Sequence, residues 1–175
     1  MRGKPKRMRI LVFLAGFLVG ITLMVGCSGK SEEAGVPSKN QYVEAGGGVT
    51  FDYPGRWVTT SASSQYAIVS LADPQAKAVS ITVEKRAMPT GYTLKRFNDE
   101  LVTSMNPAQV LSGTFPTIAG VSACETVFKA DDSQVRIVNL EKNDTMYTIL
   151  CRAPAAAFDS VQTAFNTVIN SFKVP

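Results

Sequence analysis

Hydrophobic and polar positions divide the chain into three stretches. An unbroken apolar run, Ile10 to Val25 (ILVFLAGFLVGITLMV), follows a basic opening. Ser28 to Ala45 is polar, rich in Gly, Ser and Glu, and has no apolar period, so it predicts a flexible tether. Gly46-Gly47-Gly48 then predicts the loop entering a domain. A phosphate cradle would need a strand before it and a helix after it, and here a strand follows.

From Val49 the pattern is short and alternating. Val49 to Tyr53 alternates and stops at Pro54-Gly55, and Trp57 to Thr59 resumes it. Gln65 to Leu71 and Ala78 to Lys85 are β-branched-rich runs separated by the turn pair Asp73-Pro74. Thr93 is placed to cap a helix running to about Met105. Leu94, Phe97, Leu101 and Met105 recur at intervals of three and four, and Asn106-Pro107 ends the pattern. Val121 to Lys129, Ser133 to Lys142 and Thr145 to Arg152 are strands separated by Asp131-Asp132 and Asn143-Asp144, which predicts an antiparallel meander with two-residue turns. Ala155 to Phe172 closes the chain as a helix with the stripe Phe158, Val161, Phe165, Val168 and Phe172.

Two-residue turns fix the register. Phe128 then pairs with Val135 and Ile137 with Leu150. Cys124, Phe128, Val135, Ile137, Met146 and Leu150 share one face; Val127, Val138, Leu140, Tyr147, Ile149 and Cys151 share the other. Both faces are apolar, which predicts a sheet covered on both sides. The register also opposes Cys124 to Asn139 and Cys151 to Arg136. These cysteines are then two strands apart and on opposite faces, so both should be free thiols despite an oxidising location.

The residues before Ser28 change the picture of charge. Arg2, Lys4, Lys6, Arg7 and Arg9 are five of the 18 basic residues, and all 14 acidic residues come later. Removing those five and counting from Ser28 leaves 13 basic against 14 acidic residues, a formal charge of −1. The basicity thus belongs to a targeting segment, and the domain has no electrostatic footprint for nucleic acid. A basic flank, an apolar run and small residues at its exit describe a secretory signal. The run of 16 residues is shorter than the roughly 20 a spanning helix needs. Val25-Gly26-Cys27 resembles the bacterial lipobox, with Met24 standing where leucine is usual. The resemblance implies cleavage after Gly26 and acylation of Cys27, and two or three acyl chains give stable anchoring. The expected organisation is a signal peptide over 1–26, a lipidated Cys27 with a tether over 27–45, and a domain over 46–175. The expected location is a cell membrane or outer membrane, on its extracytoplasmic side.

The stretch from Val49 to Trp57 (VTFDYPGRW) resembles the opening of PsbP-like domains, which begin with an aromatic strand, a Tyr-Pro pair and a nearby Trp. The order that follows is similar too: strands, a helix containing Thr93-Leu94 and Phe97, a hairpin set, and a last helix ending Ser171-Phe172-Lys173. The resemblance spans roughly residues 46–175. It implies an α+β fold of the Mog1/PsbP kind, an antiparallel sheet sandwiched by helices. Many bacterial members are extracytoplasmic lipoproteins of unassigned role, and photosynthetic members serve the oxygen-evolving side of photosystem II.

Candidate chemistry is sparse. The chain has no histidine, which removes the commonest general base and metal ligand. No Gly-x-Ser-x-Gly, zinc-ligand spacing or P-loop occurs. Trp57 is expected in the core rather than as a stacking platform. Asp131, Asp132 and Asp144 are turn residues, adjacent ones pointing apart. Glu125 is expected at a sheet edge or paired with Arg136 or Lys142. The expected function is non-enzymatic binding or assembly by a monomeric domain, without catalytic, metal or cofactor residues. Its partners would be the membrane, through the lipid, and an unidentified protein. The alternatives are a photosystem II accessory protein, if the host is an oxygenic phototroph, and a hydrolase using carboxylates alone. Two convergent acidic groups in a concave pocket would mark the hydrolase.

Overall fold

Aspartate and asparagine tolerate the left-handed backbone that tight hairpins demand, and that tolerance sets the architecture. In the computed structural model, which describes residues 38–175, Asp131 (φ 50°), Asn143 (φ 53°) and Asp144 (φ 56°) all adopt it. The chain begins with strands β1 (Lys39–Val43), β2 (Thr50–Pro54) and β3 (Val58–Thr60). β4 (Ala67–Asp73), β5 (Ala76–Ala87) and helix α1 (Leu94–Ser104) follow, then β6 (Gln109–Thr114) and β7 (Thr117–Ile118). The meander is β8 (Val121–Ala130), β9 (Ser133–Lys142) and β10 (Thr145–Pro154), and α2 (Gln162–Ser171) ends the fold. The main sheet is antiparallel with strand order β3-β4-β5-β10-β9-β8-β6, β7 also pairing with β8; β1 and β2 form a separate hairpin.

The expected register holds. Phe128 pairs with Val135 and Ile137 with Leu150, and both turns have two residues. One face carries a buried cluster of Phe128, Ala130, Val135 and Ile137 closed by Val102 of α1. The other carries Val138, Leu140, Tyr147, Ile149 and Cys151 against Phe158, Phe165, Val168 and Phe172. Cys124 opposes Asn139, Cys151 opposes Arg136, and both are buried free thiols. Denatured chain treated with an alkylating reagent and no reductant should therefore be modified at both; protection of the pair until reduction would contradict the register.

Four expectations are corrected. Lys39–Val43, inside the stretch whose polar composition predicts a tether, is a strand paired with Thr50–Pro54. Its residues stay largely exposed, and only Tyr42 turns inward, stacking on Phe51 at 5.0 Å, so the strand leaves no apolar period. Gly46 (φ 88°) and Gly47 (φ 80°) form its turn. Glu44 closes that turn, accepting from the Val49 N–H (3.0 Å) and from Lys85 of β5 (3.0 Å). Burial opposes the Glu44 charge, but these two donors outweigh it and hold its carboxyl below the usual range. Second, Gln109–Thr114, to which the pattern of apolar positions assigns no element, forms β6. Third, Thr93 caps α1 by accepting from the Arg96 N–H (3.2 Å), and of the expected stripe Phe97 is buried while Leu101 and Met105 pack partly buried against the Phe128 cluster, but the helix also buries Asn98 and Val102. Fourth, the last helix starts at Gln162 rather than Ala155. β10 pairs as far as Pro154, and Phe158 packs in the core from the turn that follows.

Candidate functional site

Two concavities bear on function. The first, about 300 Å³, lies between α1 and the β6–β8 edge. Gly113 opens it, because a Cβ there would meet nothing closer than the Glu125 carbonyl oxygen at 4.0 Å. Val102, Val110 and Phe115 supply apolar walls, and Lys95 and Asp99 flank it as an exposed i, i+4 ion pair at 2.6 Å. Cys124 and Thr126 reach it from β8. Burial pushes the Cys124 thiol above its usual range, which disfavours the thiolate a nucleophile needs.

Beneath this cleft runs a chain of buried amides and hydroxyls. Asn98 Nδ2 donates to Thr126 Oγ1 (3.0 Å), Asn139 Nδ2 donates to Asn98 Oδ1 (3.0 Å), and Thr148 Oγ1 donates to Asn139 Oδ1 (2.6 Å). All four residues are buried. Each connection satisfies a polar group that would otherwise be costly in the interior, and together they fasten α1 to β8, β9 and β10.

The second concavity, about 350 Å³, lies where Pro54–Trp57 meets the first turns of α2 and Ser38. Asp73 is its carboxylate, and it is engaged twice, by Arg56 (2.6 Å) and by the Gln75 N–H (3.0 Å). Trp57 is 3% exposed, so it is a core anchor that offers no stacking surface.

Glu125 is held at 2.8 Å by Arg136, as one of the two pairings allowed by the sequence; Lys142 instead donates to the Val174 carbonyl (3.3 Å). Arg136 also donates to Gln162 (3.1 Å) and Asn166 (2.8 Å), tying β9 to α2. Cys151, on the same face, has its thiol pushed up to about 12, chiefly by burial. Asp131, Asp132 and Asp144 sit in exposed turns. No three His, Cys, Asp or Glu side chains converge as a metal site among the described residues. Cys27 lies outside the described residues. The exposed apolar group Val110, Leu111 and Phe115 has no counterpart in the sequence expectations; its one signal is an apolar pair and a Phe between two prolines, Pro107 and Pro116.

The model of the PsbP-like protein family matches residues 27–174. The chain belongs to that family. No curated protein gives a significant match. Among solved structures, cyanobacterial PsbP (CyanoP) from Synechocystis sp. PCC 6803 aligns with a TM-score of 0.62 at 17% identity, over 86% of this chain and 100% of that one. The Saccharomyces cerevisiae Ran-binding protein Mog1p gives 0.55 at 15%, over 78% and 95%. LpqN from Mycobacterium tuberculosis, described as involved in cell envelope biogenesis, gives 0.56 at 14%, over 79% and 91%. At these identities the PsbP-like chain shares a fold with all three, the Mog1/PsbP fold of antiparallel sheet and two helices. No helix among the described residues is long and apolar enough to cross a membrane.

Proposed function

We propose that this PsbP-like protein is a lipid-anchored extracytoplasmic binding or scaffold protein, held at the membrane by an acylated Cys27 and without catalytic activity of its own. One observation carries the non-catalytic part. Every carboxylate lining the two concavities is already engaged by a base: Asp99 by Lys95, Asp73 by Arg56 and Glu125 by Arg136. A carboxylate hydrolase needs two convergent acidic groups free to act; Asp99 and Glu125 both line the first concavity but each is held by its own base, and the second concavity has Asp73 alone. The helix-on-both-faces form of the fold is part of the same reading, supported by Val102 of α1 on one face and Phe165 of α2 on the other. The descriptions of LpqN as involved in cell envelope biogenesis and of Mog1p as Ran-binding lend support by analogy of fold. The photosystem II role gains nothing beyond the fold shared with CyanoP.

Radioactive palmitate labelling of the full chain tests the anchor. Wild-type protein should be labelled and shortened, and Cys27→Ser should remain unlabelled and full-length. A Cys27→Ser chain that is still labelled and matures normally would sink the lipoprotein reading. Hydrolase substrate panels should show no turnover, and an activity abolished by one Asp or Glu substitution would overturn the non-catalytic reading.

A further inference from the structure

Among the described residues the main sheet has two free edges, and they differ. β3 is three residues long, whereas β6 is six, and every residue of β6 is exposed. Unpaired edge strands present open rows of N–H and C=O groups, which proteins usually guard with charge, especially Lys. β6 has no such guard: no charged residue occurs between Glu100 and Glu125. It carries apolar surface instead, with Val110 55% and Leu111 41% exposed, and Phe115 just beyond its end 71% exposed. A bulge at Leu111 interrupts pairing with β8, which shortens the regular edge without covering it.

The order of residues on this edge identifies what covers it. Val110 and Leu111 stand at one end, Phe115 at the other, and the small Ser112 and Gly113 lie between. We propose that β6 is a dimer edge, at which two copies of this chain pair their β6 strands antiparallel about a two-fold axis. Antiparallel pairing brings the end of one strand to the beginning of the other. Phe115 of each copy then lies against Val110 and Leu111 of the other, and the three exposed apolar residues of both copies are covered together. A two-fold contact of this kind is self-complementary and closed. Net charge does not oppose it, since from Ser38 onward the chain has 12 basic and 12 acidic residues. Main-chain hydrogen bonds across the axis join the two sheets into one, as in strand addition. The dimer replaces the monomer expected from the sequence pattern, and it does not depend on the lipid anchor.

Cysteine cross-linking of the full chain purified in detergent tests this. Ser112→Cys places a thiol near the axis, and Thr59→Cys places one on the exposed β3 edge. Under mild oxidation Ser112→Cys should give a cross-linked species of twice the chain mass, and Thr59→Cys should not. Adding Leu111→Lys to Ser112→Cys sets two like charges against the interface and should cut that species by about tenfold or more. Leu111 lies on the surface, so the substituted chain should keep the circular dichroism spectrum of the folded domain. The proposal fails if Ser112→Cys cross-links no more than Thr59→Cys, or if Leu111→Lys leaves the yield intact. It also fails if the product has the mass of an adduct with a different protein.

Discussion

Phe165→Ala is expected to destabilise the fold by about 3–5 kcal/mol in denaturant-induced unfolding. Phe165 is fully buried, its ring 5.7 Å from that of Phe158 and packed in the same cluster as Val138, Leu140 and Ile149. Truncating it removes apolar contact and leaves a void between α2 and the sheet, which close-packed neighbours fill poorly. A cost below about 1 kcal/mol would show that α2 does not rest there.

The second large effect is expected at Asn139, which is fully buried. Asn139→Ala removes the donor to Asn98 and the acceptor of the Thr148 hydroxyl in one step. A buried polar group left unpaired costs about 1–3 kcal/mol, so the two together should cost about 2–6 kcal/mol. Because the residues act as one network, Asn98→Ala should add less in the Asn139→Ala background than alone. Additive costs in that double-mutant cycle would show that the amides act independently.

Features written in local chemistry could be read from the sequence. Asp131-Asp132 and Asn143-Asp144 fixed two hairpins, and from their lengths alone followed the opposed partners Phe128–Val135, Ile137–Leu150 and Cys124–Asn139. Glu125 could be matched to β9, which carries Arg136 and Lys142, but only the structure selects Arg136. Features set by distant partners could not. β1 is polar because little of it is buried, and its pairing with β2 depends on a turn of two left-handed glycines rather than on an apolar face. β6 lies at an edge, where exposure removes the alternation that marks a half-buried strand. Asn98 breaks the apolar stripe of α1 because the sheet beneath it supplies Thr126 and Asn139 as partners, which helical spacing cannot show. The Arg56–Asp73 pair joins residues across a loop and a strand edge, with no periodic signal to announce it.

The place of β10 bears on when the molecule can form. It is the last strand in the chain, yet it lies mid-sheet, flanked by β5 on one side and β9 on the other. Until the ribosome has made it, β3–β5 and β6–β9 have no strand pairing to join them. Closure comes later still: the Asp52 N–H donates to Ser171 Oγ (2.8 Å), and Thr50 and Lys173 exchange backbone hydrogen bonds at 3.1 and 2.9 Å. Pairings this distant in sequence form slowly. Nearly the whole polypeptide must therefore leave the ribosome before the native sheet can close.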